Sequence, residues 1–131
     1  MRDASRLRIS SLFEGLADAD LERCAALFEE VKLTSGSRVI TQDGHSYNFF
    51  VVIDGEVEVR HDFEQLRRLG PGDFFGELGI LGESRRTARV LTLTRCVLAK
   101  IMAWDLRTML AEHPLLAARI EAAAAERRDP G

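Results

Sequence analysis

Residues 49–60 read FFVVIDGEVEVR, and this stretch decides the fold class. Its first five residues are apolar on both faces, which is typical of a strand buried in the middle of a sheet. Asp54-Gly55 is a turn signal. Residues 55–60 then alternate between polar and apolar side chains, which indicates a strand with one face toward water. The stretch therefore predicts two neighbouring strands joined by a turn.

Short apolar runs continue on both sides of this pair. Glycine-containing turn signals separate them, at Asp43-Gly44, Gly70-Pro71-Gly72 and Gly82-Glu83-Ser84. Many short strands at close spacing are typical of a small barrel or jelly roll, so we expect a jelly-roll β-barrel over residues 32–102. The predicted strands are residues 37–41, 49–53, 57–60, 66–69, 90–93 and 96–101.

Helical patterns flank the strands. The apolar positions that recur at helical spacing before them are Leu21, Cys24, Leu27, Phe28 and Val31. They predict a helical lead over residues 8–31. Residues 103–112 and 115–128 predict two C-terminal helices, with a break at Pro114 because proline cannot donate the backbone bond. We therefore expect a single domain over residues 1–131, mainly β with flanking helices.

Composition limits the classes of function. The 131 residues are 46% hydrophobic and 30% charged, which is ordinary for a globular protein. The net charge of −3 gives no overall attraction to nucleic acid, so we expect no nucleic acid contact by this domain. No apolar stretch approaches the roughly 20 residues that span a bilayer, and no signal-peptide pattern is present. We expect no membrane segment and a cytoplasmic location.

The sequence carries no pattern typical of catalysis or metal binding. His45, His61 and His113 form no pair at metal-ligand spacing, and no Gly-x-Ser-x-Gly occurs. Cys24 and Cys96 each lie in an apolar pattern, which predicts two buried, reduced thiols. We expect a protein that is not an enzyme and that holds no metal and no cofactor.

Residues 72–88 read GDFFGELGILGESRRTA and contain the groups suited to binding a ligand. Gly76 could expose backbone N–H groups at the start of a short helical turn, which is a ready site for an anion. Arg86 adds a planar guanidinium that can grip phosphate oxygens in two places. Glu77 offers an acceptor for a sugar hydroxyl. Together these groups predict a sugar-phosphate pocket.

This segment resembles the phosphate-binding cassette of the cyclic nucleotide-binding domain family, of the catabolite-activator and protein-kinase-A regulatory-subunit type. The matching residues are FGELGIL at 75–81 and RTA at 86–88. DGEVEV at 54–59 and LGPGDF at 69–74 also look like family signatures, as do the flanking helices. The resemblance covers nearly the whole chain, and it implies that the chain binds a cyclic nucleotide.

The resemblance also implies a role for each polar group. Arg86 would pair with the exocyclic oxygens of the cyclic phosphate, and backbone N–H groups around Leu78 and Thr87 would help to hold that phosphate. Glu77, with the backbone of Gly76, would bind the ribose 2′-hydroxyl.

Apolar residues and the last helix would complete the pocket. The walls around the sugar and base would come from Phe75, Val57, Leu69 and Val90. A residue within 117–123 would meet the base, and Arg119 is one candidate for stacking on its face. Ala88 closes the binding segment, and counting back from it selects Arg86 rather than Arg85 as the inward guanidinium.

Each of these residues also has a plain structural interpretation. Arg86 could form a surface ion pair, and Glu77 could be a carboxylate stabilised by a helix dipole alone. One of Phe74 and Phe75 should belong only to the core, and Thr87 could simply be a strand residue. The connection over residues 61–65 is shorter than in many relatives, which would shorten a rim without touching the cassette.

Two further expectations concern the identity of the ligand and the domain that it would regulate. The Thr87 hydroxyl could meet the amino group of a syn guanine, but the resemblance also allows cAMP with the same residues. We favour cAMP, on the expectation that the chain is bacterial, with cGMP as the other possibility. The resemblance implies that helices 103–112 and 115–128 close over the ligand and signal to an unknown output domain of the same or another chain. The alternative is a protein-interaction module of this fold that binds no nucleotide.

Overall fold

The computed structural model describes residues 1–40, 48–61, 64–76 and 89–128. Two 3₁₀ turns, η1 (Ala4–Ile9) and η2 (Ser11–Phe13), precede helix α1 (Asp18–Ala25). Helices α2 (Ala103–Glu112) and α3 (Pro114–Arg128) follow the strands. The strands are β1 (Glu29–Leu33), β2 (Arg38–Ile40), β3 (Asn48–Asp54), β4 (Val57–His61), β5 (Glu64–Leu69), β6 (Phe74–Phe75), β7 (Arg89–Thr92) and β8 (Cys96–Met102).

These strands form two antiparallel sheets of four. Sheet A has the order β1-β8-β3-β6, and sheet B has the order β2-β7-β4-β5. Inward side chains of both sheets pack against each other in one buried cluster. The prediction of a mainly β, jelly-roll fold with flanking helices is therefore confirmed. The two sheets lie face to face as a sandwich rather than closing into one barrel.

Sheet A separates two apolar clusters. Because successive strand residues point to opposite faces, Phe49, Val51 and Ile53 of β3 face one way and Phe50 and Val52 the other. The inter-sheet cluster comprises Phe50, Val52, Val57, Val59, Leu69, Phe75, Val90, Cys96 and Leu98. The helix-side cluster joins the other face of sheet A to the turns and helices, and it includes Leu12, Phe13, Cys24, Phe49, Val51, Ile101, Leu106, Met109, Leu116 and Ile120.

The structure departs from the sequence prediction in the N-terminal lead. Helix α1 ends at Ala25, and residues 29–33 form strand β1 rather than a helix up to residue 31. Leu27 and Phe28 reach the helix-side cluster from the turn that follows α1. Strand β1 then pairs with β8, with Val31 opposite Leu98. The helical prediction beyond residue 25 is wrong because long-range pairing overrides the local periodicity.

A glycine in the turn between β3 and β4 provides a test of the packing. Gly55 has a φ of +90°, and a Cβ there would lie 2.2 Å from the Arg95 carbonyl oxygen. We expect Gly55→Ala to lower the free energy of unfolding by about 2–5 kcal/mol. Left-handed backbone strain contributes about 1–2 kcal/mol, and overpacking contributes about 1–3 kcal/mol. Urea denaturation measures the loss.

Gly36→Ala is the matched control. Gly36 has a φ of +79°, but a Cβ there would have no atom within 4 Å beyond its own chain neighbours. Only the backbone strain then applies, so its loss of stability should be the smaller one. Equal losses for the two variants would contradict the packing argument.

Candidate functional site

The turn between β5 and β6 sets the position of the candidate site. Gly72 N–H donates to the Val52 carbonyl and Val52 N–H donates to the Asp73 carbonyl, both at 2.8 Å. The Asp73 carboxylate accepts a bond from Gly70 N–H at 2.9 Å. A Cβ on Gly72 would lie 2.6 Å from the Ile9 carbonyl oxygen, so the turn also seats against η1. Backbone bonds therefore tie this turn, and β6 after it, to β3.

The two phenylalanines of β6 belong to different clusters. Phe75 lies opposite Phe50 in the register, and their rings stack at 5.0 Å in the inter-sheet cluster. Phe74 lies opposite Val51 and packs against Phe49 at 5.4 Å on the helix side. Phe75 is therefore the member of the pair that faces the space between the sheets.

The site segment 77–88 connects the two sheets. It follows Phe75 and the buried Gly76, which adopts a φ of +98°, at the end of sheet A. It leads into Arg89, which lies opposite Arg60 in sheet B. The predicted site residues Glu77, Leu78, Arg86, Thr87 and Ala88 lie outside the described residues. Their roles stay predictions.

The structure brings the predicted apolar walls together. Val57, Leu69 and Val90 come from three different strands of sheet B, and all three are buried beside Phe75 in the inter-sheet cluster. The register explains this, because Val57 lies opposite Leu69, and Val90 opposite the neighbouring Val59. All three side chains therefore line the same cluster as Phe75. Their contact with a ligand stays a prediction.

Arg67 is an inward-facing residue that the sequence patterns did not indicate. It lies opposite Val59, whose side chain belongs to the inter-sheet cluster, so the register places Arg67 on the inner face of β5. It is half-buried. The sequence could have indicated this, because Arg67 lies two residues before Leu69, and side chains two residues apart on a strand share a face. Arg67 is thus a guanidinium on the inner face of sheet B, and it adds to the candidates that the sequence predicts.

The outer face of sheet B carries the most buried carboxylate among the described residues. Glu58 accepts hydrogen bonds from Arg60 Nη1 at 3.1 Å and from Gln65 Nε2 at 2.6 Å. Alternation along β4 points Glu58 away from the inter-sheet cluster that contains Val57 and Val59. This charge cluster therefore organises the outside of the sheet and does not face the candidate pocket.

The structure places Arg119 against the N-terminal turns. Its Nη1 donates to the carbonyl oxygens of Ser11, Leu12 and Glu14 at 3.2, 2.9 and 2.8 Å. The residue is part of α3, whose buried side chains join the helix-side cluster. The proposed stacking of Arg119 on a base stays a prediction, and it would require these hydrogen bonds to break.

Both cysteines are buried free thiols, as the sequence predicts. Burial raises the pKa of the Cys24 thiol, and the nearby Asp20 and Glu112 carboxylates raise it further. Within residues 1–40, 48–61, 64–76 and 89–128, no group of three or more His, Cys, Asp or Glu side chains could hold a metal ion. In the same ranges, no helix is both long and apolar enough to cross a membrane.

Comparison with known proteins identifies the family. The sequence model described as "Cyclic nucleotide-binding domain" matches residues 30–113, which include both flanks of the site segment. The chain belongs to the cyclic nucleotide-binding domain family. The structure of the Thermus thermophilus catabolite activator protein superposes with a TM-score of 0.81 at 27% identity, over 90% of this chain and 58% of that one.

Curated relatives of this cyclic nucleotide-binding domain are much longer proteins. A cAMP-dependent protein kinase regulatory subunit of Yarrowia lipolytica is 35% identical over 82 residues, which are 60% of this chain and 22% of the relative. A cGMP-dependent protein kinase of Caenorhabditis elegans is 32% identical over 87 residues, which are 62% of this chain and 11% of the relative. The chain thus spans less than a quarter of each.

The two phenylalanines of this cyclic nucleotide-binding domain should differ in their contribution to stability. Phe75 is 2% exposed, whereas Phe74 is half-buried. We expect Phe75→Ala to lower the free energy of unfolding by about 3–5 kcal/mol, the range for a fully buried phenylalanine. Phe74→Ala should cost less because it removes less buried area. Urea denaturation of both variants checks the order, and a reversed order would contradict the assignment of clusters.

Proposed function

We propose that this chain is a regulatory module that binds one cyclic nucleotide, cAMP in preference to cGMP, beside Phe75 and Gly76 at the inter-sheet cluster. One observation carries the proposal: in a member of this family, the two flanks of segment 77–88 lie in opposite sheets, with the apolar cluster between them. The proposed ligand-binding residues are Phe75, Gly76, Glu77, Leu78, Arg86, Thr87 and Ala88.

The chemistry of these groups suits a cyclic phosphate joined to a ribose. The Arg86 guanidinium would pair with the exocyclic phosphate oxygens, supported by backbone N–H groups around Leu78 and Thr87. Glu77 would accept the hydrogen bond of the ribose 2′-hydroxyl. The buried side chains around Phe75 would exclude water and so strengthen these polar contacts. We propose binding without turnover, because the contacts hold the phosphate and sugar and supply no nucleophile.

Base preference is the finer part of the proposal. The relatives include proteins named for cAMP and proteins named for cGMP. The Thr87 hydroxyl could serve a syn guanine, yet the same Arg-Thr pair is compatible with adenine. We propose cAMP as the preferred ligand, and titration with both nucleotides distinguishes the two.

Replacement of Arg86 tests the binding site directly. Calorimetric titration with cAMP, and separately with cGMP, should show that Arg86→Ala loses about 30-fold to several thousand-fold in affinity. This equals about 2–5 kcal/mol, the cost of removing one partner of a buried charge pair. Arg85→Ala is the matched control and should bind almost as the unaltered protein does.

Two results would contradict the assignment. A large loss with Arg85→Ala and none with Arg86→Ala would show that the inward guanidinium is one residue earlier. No binding of either nucleotide by the folded, unaltered protein would overturn the proposed function and favour an interaction module of the same fold.

We further propose that the ligand draws α3 over the pocket, with the α2–α3 junction as the hinge. His113 leaves helical geometry with φ −131° and ψ 81°, and Pro114 starts the next helix. In the structure, α3 packs on the helix-side cluster through Leu116 and Ile120. The ligand can favour a second position of α3 only through its higher affinity for that position.

Amide chemical shifts test this movement. We expect saturating cAMP to shift the amide resonances of residues 115–128, because α3 would exchange its contacts with the N-terminal turns for contacts with the ligand. Residues 93–95, in the turn between β7 and β8, belong to neither apolar cluster, so they provide the internal reference and should shift little. Binding with no change along residues 115–128 would contradict the closure.

The length of the curated relatives supports a role as one part of a larger regulated protein. Because the chain covers 22% and 11% of the two curated relatives, we propose that it acts as a regulatory part that controls an output domain, on the same or another chain. Movement of α3 is the signal that such a domain would read.

A further inference from the structure

Arg119 makes an unusual connection between the two ends of the domain. A single nitrogen, Nη1, lies 2.8–3.2 Å from three carbonyl oxygens that are more than 100 residues earlier in the chain. Ser11 and Leu12 belong to η2, and Glu14 follows it as the C-terminal cap. Glu14 N–H also donates to the Ser11 carbonyl at 3.1 Å, and carbonyl oxygens at the end of a helical turn attract a cation. The contact is therefore both a set of hydrogen bonds and a charge interaction.

The apolar face of α3 seats the helix on the same turns. Leu116, Ile120 and Ala124 recur every four residues and are fully buried. Leu116 and Ile120 belong to the helix-side cluster, which also contains Leu12 and Phe13 of η2. No residue of α3 is a member of the inter-sheet cluster, within the part of the chain that the structure describes. The seated position of α3 thus lies off the candidate pocket.

We propose that Arg119 is a latch that holds α3 on the N-terminal turns and so opposes its closure over the nucleotide. The inference rests on the proposed function. Closure would have to break the bonds to Ser11, Leu12 and Glu14, so the latch lowers the fraction of molecules able to close. The apparent affinity for the nucleotide falls by that fraction. Arg119 then acts as a positioning residue, and its removal should strengthen binding.

Two readouts on three variants test the latch. Arg119→Met keeps the aliphatic stem and removes every donor. We expect about tenfold tighter cAMP binding by calorimetry, together with faster amide hydrogen exchange along α3 before nucleotide is added. Arg119→Lys keeps the charge with fewer donors. Its cAMP affinity and its exchange rate along α3 should lie between those of Arg119→Met and those of the unaltered protein. Glu126→Gln changes an exposed charge on the same helix, and both readouts should match those of the unaltered protein.

The outcomes separate the latch from the other assignments. Unchanged affinity in a folded Arg119→Met protein would overturn the latch, and weaker affinity would overturn it in favour of the stacking of Arg119 on the base. If Arg119→Met does not fold, Arg119→Lys decides by the same criteria. If the unaltered protein binds neither nucleotide, the proposed function fails. Closure over the nucleotide fails with it. Exchange along α3 then tests only whether Arg119 holds α3 on the N-terminal turns: faster exchange in Arg119→Met supports that hold, and unchanged exchange overturns it.

Discussion

Strand β3 is buried on both faces, and the rest of the architecture is arranged around that constraint. Phe49, Val51 and Ile53 pack toward the helices, while Phe50 and Val52 pack toward sheet B. Each fully buried side chain of this size contributes about 1.5–3 kcal/mol. A polar side chain at any of these positions would be buried without a partner, which is costly. One strand therefore belongs to two apolar clusters, and both clusters must form for both of its faces to leave water.

The position of the candidate site follows from β3. Strand β6 pairs with it, and the preceding turn is bonded to Val52 in both directions. These are backbone bonds, so the placement of Phe75 and Gly76 does not depend on the chemistry of the segment that follows. Sheet B supplies the other flank through Arg89, which is paired with β4. Paired strands thus hold both ends of the segment 77–88. Its side chains can differ without disturbing that pairing, as is typical of segments that carry function.

The two C-terminal helices are held in different ways. Helix α2 continues directly from β8, a strand paired on both sides, and it contributes Leu106 and Met109 to the helix-side cluster. Helix α3 follows the bend at His113, and among its described side chains Leu116, Ile120 and Ala124 are fully buried. The bonds of Arg119 therefore act together with this apolar contact in holding α3.

Several elements of this fold could be predicted from patterns among neighbouring residues. The runs at 49–53 and 57–60 correctly predicted β3 and β4, residues 103–112 predicted α2, and the segment 72–88 indicated the family before any comparison. Strand β6 was not predicted, because two residues are too short to show a period. The lead up to residue 31 was predicted as a helix because Leu27, Phe28 and Val31 happen to continue the spacing of α1.

By itself, the sequence determined the strand faces, the helix pair and the candidate binding segment, because alternation and turn residues are properties of contiguous chain. Only the tertiary structure decided that the strands form two facing sheets, that Phe74 and Phe75 enter different clusters and that Arg67 lies on an inner face. It also decided the partners of Arg119, which lie 105–108 residues away. Contacts over such separations depend on how the whole chain packs, and no local pattern encodes them.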